Sequence, residues 1–166
     1  MRMEGNNSDF SNGESRISMV DISGKPDVSR MARAEGTIRL KRETIQAIKE
    51  KRIKKGDVAS VARLAAINAV KRTSDLIFLA HPIPITDVDV SFEVDEERSV
   101  VKLATKVKSI GKTGVEIEAL TGVLVGLLTV FDMCKYLEKD EWGQYHTTDI
   151  SEIRVVEKSK EDQASV

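Results

Sequence analysis

The chain has 166 residues, 40% of them hydrophobic, enough to bury the core of one ordinary domain without covalent staples. Its 26 basic and 27 acidic residues nearly cancel, and with 1 Trp, 2 Tyr and 4 Phe it lacks both a whole-protein field for nucleic acid or anionic membrane and a base-stacking surface. One cysteine, Cys134, excludes an intramolecular disulfide, and 2 histidines exclude a Cys/His metal cluster, so the composition points to a soluble protein of the reducing cytoplasm.

Residues 1–17 are rich in Gly, Asn and Ser and read as a flexible arm, so a single domain is expected over 18–158, with a charged tail at 159–166. AEGTIRL (34–40) alternates as a strand, and RETIQAIKE (42–50) spaces Ile45 and Ile48 on one face of a short helix. After the basic link KRIKK, Asp57 is placed to cap a helix through VASVARLAAINAVKRTSDL (58–76). Pro82 and Pro84 forbid helix in AHPIPI, after which TDVDVSFEVDEE and VVKLATKVKS alternate as the arms of an antiparallel hairpin. The longest helix is expected from Gly114 to Glu138, with Leu120, Val123, Leu124, Leu127, Leu128 and Phe131 forming a broad apolar stripe. SEIRVV closes the series as a strand, and no run reaches the roughly 20 apolar residues of a membrane span. Short helices among antiparallel strands predict an α+β fold, ferredoxin-like, with helices on one face of the sheet.

GKTGVEIE (111–118) looks at first like the end of a phosphate loop. A Walker loop needs G-x-x-x-x-G-K-[ST], and the place of its first glycine is held by Lys106, inside a strand pattern. The wide loop therefore has no residues to form from. The same letters fit a capping box, Thr113 as N-cap with Glu116 three residues on, although Lys112 beside a helix start could still hold one anion. Neither reading uses Glu118.

Along the long helix, Glu118, Thr121, Val125, Thr129 and Asp132 fall in one stripe, with Lys135 a turn beyond. Glu118 and Asp132 are about 21 Å apart at 1.5 Å per residue, too far to grip one small molecule from one helix, so a site using both would be shared between subunits. Asp132 and Lys135 read either as an exposed ion pair or as a carboxylate kept ionised for use as a base. His81, in LAHPIP, is either a structural donor or an acid-base and binding group, whereas His146 in QYHTT reads as solvent-exposed. Lys49, Lys51, Arg52, Lys54 and Lys55 form a solvated link or an anion platform, with Lys55 next to the helix start at Asp57. Cys134 reads as a small buried apolar residue.

MVDIS (19–23), KGDV (55–58), AAINAVKRTSDLI (65–77), HPIPIT (81–86), GKTGVEIEALTGV (111–123) and LTVFDMCK (128–135) together resemble the MoaC family. That resemblance runs in register from Met19 to about Asp140. It implies cyclic pyranopterin monophosphate synthase activity in molybdenum-cofactor biosynthesis, acting on a cyclised dihydroguanosine triphosphate and releasing pyrophosphate. It also implies ferredoxin-like subunits in a homohexamer, a trimer of dimers with the site at a subunit interface, and no nucleic-acid or membrane partner. Carried residue by residue, it makes Asp132 the catalytic aspartate, Lys55 and Lys135 functional lysines and His81 a substrate-binding histidine, and His81 is expected to join Asp132, Lys55 and Lys135 in the catalysis by moving protons. Leu79, Ala80, His81, Lys112, Glu116, Ile117 and Glu118 are expected to bind substrate, and the charge of a triphosphate makes Lys112 or Arg30 a further candidate cation to hold it. No metal ligand and no required cofactor follow, though Mg²⁺ can accompany the triphosphate. Two departures stand out: Ala80 replaces the family's cysteine before the histidine, and EIRVVEKSKEDQASV replaces its Gly-Gly-Lys-Ser-Gly tail. A non-catalytic nucleotide sensor and an RNA-binding ferredoxin-like domain are the alternatives, the second disfavoured by the few aromatics.

Overall fold

The computed structural model describes residues 17–161, so the arm expected over 1–17, except Ile17, and the end of the tail lie outside it. In chain order the elements are β1 (Val28–Arg39), α1 (Arg42–Lys49), α2 (Val58–Lys71), α3 (Thr73–Leu76), β2 (Ile85–Asp95), β3 (Val100–Gly111), α4 (Glu116–Glu138) and β4 (Asp149–Glu161). The strands form one antiparallel sheet in the order β2-β3-β1-β4, the ferredoxin-like arrangement, with the helices on one face.

Alternation places the core. In β1, Ala32, Ala34 and Ile38 are fully buried towards the helices, as are Val101, Leu103 and Val107 in β3. The intervening residues alternate to the other face, and many of them are charged. There Glu35 is held by Arg154 at 2.8 Å, Lys102 at 3.2 Å and Arg33 at 3.9 Å, and Asp87 lies 3.7 Å from Lys108. Small residues set the helix spacing: a Cβ at Gly122 of α4 would come within 2.8 Å of Val70 and 2.9 Å of Thr105. Removing side chains at this crossing lets α2 and α4 approach each other and the sheet, as the alanine-rich sequence of α2 implies.

Helix α1 begins without a cap of its own, since the Lys41 side chain caps nothing. Glu138, at the far end of α4 and 1% exposed, supplies it: its two carboxylate oxygens accept the Lys41 N–H at 3.2 Å each, and it also accepts from the hydroxyls of Thr44 and Thr148. Those partners satisfy a buried charge that would otherwise be costly.

Several expectations need correction. The helix expected over 58–76 is interrupted at Arg72, where Thr73 bonds back to the carbonyls of Ala69 and Val70, and a separate turn, α3, follows. The capping box at Thr113 does not form: α4 starts at Glu116, its N-cap is Val115, and no side chain caps it. Glu116 instead folds back over Gly114, where any Cβ would collide with its carboxylate. Of the apolar stripe on α4, Val123 and Leu127 are buried but Leu124 and Leu128 are exposed, so the helix is apolar on its outer side as well. For that reason α4 is, contrary to expectation, long and apolar enough to cross a membrane by length and composition, yet its inner residues are core of this domain. Strand β1 starts six residues before the alternating stretch, and β4 continues to Glu161, so 159–161 pair with β1 instead of forming a tail. Charged residues within both extensions, such as Arg30, Arg33, Lys158 and Lys160, hid them.

Candidate active site

At the C-terminal half of α4, Asp132 sits between two ammonium groups. Lys55 Nζ donates to its Oδ2 at 2.7 Å and to its backbone carbonyl at 3.0 Å, and Lys135 Nζ lies 2.9 Å from Oδ1. The turn that delivers Lys55 is built from local chemistry. Gly56 takes φ +108°, a conformation closed to most residues, and Asp57 then starts α2 by accepting the Ser60 N–H at 2.7 Å. From the other side, the Tyr136 hydroxyl accepts the Lys54 N–H at 3.1 Å, and the Lys54 ammonium sits 5.3 Å from the Tyr136 ring centre. Tyr136 therefore clamps the basic turn to α4.

The hydrogen bonds from Lys55, then from Lys135, hold the Asp132 carboxyl down at about 2, and the Lys135 ammonium is raised in return. All three side chains are about half exposed. An isolated surface pair would need no second ammonium, so two lysines converging on one carboxylate favour a site over the simple i, i+3 pair. Of the basic link, Lys55 alone reaches Asp132; Lys49, Lys51 and Arg52 pair with Glu96, Asp57 and Glu50. The buried Cys134 thiol is pushed up to about 12 by desolvation, with Glu138 adding to it, and plays no nucleophilic part.

At the other end of α4 the chemistry reverses. Glu118 is 3% exposed and its Oε2 has no hydrogen-bond partner, so burial raises its carboxyl above the ordinary value, with neighbouring Glu116 contributing. A buried carboxyl oxygen left without a partner is costly, which makes Glu118 a candidate binding group. Glu116 differs, being half-buried and paired with Lys158 at 3.2 Å, while Ile117 is exposed. A cavity of about 240 Å³ beside it is lined by Arg30, Met31, Gly114, Glu116, Lys158 and Lys160. The Arg30 guanidinium points at the carbonyls of Gly111 and Lys112, 3.5 and 3.4 Å away, so it steadies the turn that presents Lys112.

His81 and Lys112 form a third group, since both bond the segment just before β1. His81 Nε2 lies 2.8 Å from the Val20 carbonyl, and Lys112 Nζ donates to the Ser23 carbonyl at 2.7 Å. Leu79 is half exposed, and Ala80 closes the preceding turn through its N–H to the Ile77 carbonyl at 2.9 Å. His146 is exposed as expected, 3.4 Å from Asp140.

The chain thus brings Asp132, Lys55 and Lys135 together, and separately sets Glu116, Glu118, Arg30 and Lys158 at the opposite end of a continuous 23-residue helix. Sequence reasoning missed Lys158, because a strand written in charges does not alternate in hydropathy, and Tyr136, whose role depends on tertiary contact alone.

A sequence profile of the MoaC family matches residues 19–161. A Pyrococcus furiosus protein named as a probable cyclic pyranopterin monophosphate synthase is 52% identical over 91% of this chain and 96% of its own length. One from Archaeoglobus fulgidus with the same name is 54% identical over 89% of this chain and 93% of its own. A Methanothermobacter thermautotrophicus relative, 52% identical over 89% and 91% of the two chains, is named a probable cyclic pyranopterin monophosphate synthase accessory protein.

Proposed function

The chain belongs to the MoaC family, and on that premise we propose that it carries out the cyclic pyranopterin monophosphate synthase reaction with Asp132, Lys55 and Lys135 as its reacting centre. The observation that carries this reading is the pair of lysine contacts to one carboxylate, 2.7 and 2.9 Å long. A triphosphate brings several negative charges and competes for both ammonium groups. As Lys55 and Lys135 turn to the phosphates, Asp132 loses the contacts that depress it and becomes a stronger base where a proton must be taken. The two lysines then stabilise charge as a sugar hydroxyl attacks the α-phosphorus, a new P–O bond forms, and the bond to pyrophosphate breaks. His81 moves a second proton during ring opening and pterin closure. Any Mg²⁺ arrives on the triphosphate as part of the substrate.

Glu116 and Glu118 suit the other end of the molecule. The guanine-derived ring has an N–H edge that can donate to carboxylates, and Glu118 Oε2 is an acceptor without a donor. Because about 21 Å of helix separates the two groups, the complete site takes Asp132 from one subunit and Glu118 from another. Leu124 and Leu128 on α4, with Val61 and Leu64 on α2, are exposed, and such apolar side chains would be covered in the homohexamer, a trimer of dimers, that this reading takes as the working assembly. The assembly works in the cytoplasm.

Incubation with the cyclised triphosphate, followed by mass spectrometry of pyranopterin and pyrophosphate, tests the proposal. Stoichiometric formation of both is expected. Binding without conversion would leave the chain a non-catalytic nucleotide sensor.

A further inference from the structure

MVDIS has no part in the reaction described so far, yet its backbone touches two of the proposed substrate-binding side chains. Asp21 Oδ1 accepts the Ser23 N–H at 2.8 Å and the Ser23 hydroxyl at 2.7 Å, closing a tight turn. That turn aims the Val20 carbonyl at His81 and the Ser23 carbonyl at Lys112, 61 and 89 residues further along the chain. A carbonyl can only accept. The 2.8 Å contact therefore requires the proton of a neutral His81 to be on Nε2, which leaves Nδ1 as the nitrogen able to take a proton. Val20 is largely exposed, Met19 is about half exposed and Ile22 only partly buried, so the two carbonyl contacts, the Asp21 turn and the Lys25 N–H bond to the Ile22 carbonyl at 3.0 Å do much to hold this segment.

We infer that the Val20–Ser23 segment is a strap that sets the tautomer of His81 and the direction of Lys112, with Asp21 as the positioning residue that shapes it. The inference rests on the functional reading above for the roles of His81 and Lys112, but not for the contacts themselves. Asp21 acts through the turn and not by touching substrate.

Nitrogen-15 NMR of the full chain, with His146→Gln used to assign the two histidines, reads the tautomer directly, and turnover of the cyclised triphosphate reads the consequence. For the wild-type chain the Nε2–H form of neutral His81 is expected. Asp21→Ala, which cannot accept the Ser23 bonds, should move His81 towards a mixture of tautomers and lower kcat roughly tenfold, with circular dichroism unchanged. Asp21→Asn keeps an oxygen acceptor in place and should restore both. An unchanged tautomer in Asp21→Ala, unchanged turnover, or an Asp21→Asn protein as impaired as Asp21→Ala would each overturn the inference. If the wild-type chain turns over no substrate, the functional reading falls instead, and the NMR comparison still decides whether the strap sets the tautomer.

Discussion

The two ends of α4 carry the same functional group in opposite settings. Asp132 is half exposed and doubly partnered, and its carboxyl is held at about 2, whereas Glu118 is buried with one oxygen unpaired and its carboxyl raised. The difference shows that identity alone does not assign a carboxylate its work: lysines delivered by a neighbouring turn prepare one to stay charged, and burial prepares the other to meet a donor.

The sharpest way to break this comparison is Asp132→Asn. Turnover should fall by at least a hundredfold while circular dichroism and oligomer size stay unchanged, and near-normal turnover would remove Asp132 from the reacting centre. Glu118→Gln should cost roughly ten- to a hundredfold in kcat/KM, because the amide offers a donor where the site needs only acceptors. Mixing these two impaired proteins after dissociation tests whether the ends belong to one shared site. Random re-association should restore about a quarter of wild-type activity, since half the dimers are hybrids with one intact site of two. Hybrids that form without activity would sink the shared site.

The middle of the helix offers a smaller effect. Gly122→Ala forces a methyl against Val70 and Thr105 and should lower stability by roughly 1–3 kcal/mol, seen as a lower denaturant midpoint at unchanged slope. The smallest effect separates the ends by sign. Because the folded Asp132 carboxyl is depressed, its contribution is present above its ordinary value of 3.8 and is lost as pH falls through about 2. The folded Glu118 carboxyl is raised, so its contribution is present below 4.5 and is lost as pH rises. In pH-dependent melting, Asp132→Asn should remove a slope on the acid side, and Glu118→Gln should remove a slope of opposite sign above about pH 4.5.

The β2–β3 hairpin and the helix layer were legible because alternation and helical spacing report burial, which is what the sheet and helices share. The Asp57 cap was legible for the same local reason. The false cap at Thr113 shows the limit: the box pattern matched, but Glu116 lies over Gly114 and is also paired with Lys158 across 42 residues. Lys55 with Lys135 on Asp132 was carried by family resemblance plus local spacing, and the structure adds the distances. Tyr136 clamping Lys54, Arg30 holding the Lys112 turn and the strap over His81 involve backbone groups far apart in sequence, and side-chain patterns carry no trace of them.

Glu138 bears on the order in which the chain can become structured. Helix α1 has 8 residues and no local side-chain cap, and the N–H of its N-cap residue, Lys41, is satisfied by a carboxylate 97 positions downstream. A peptide covering 41–50 should therefore be largely unstructured in water, and α1 should gain hydrogen-exchange protection only once the end of α4 has docked. In a chain emerging from the ribosome, the turn that carries Lys55 would stay unanchored until nearly the whole domain had been made.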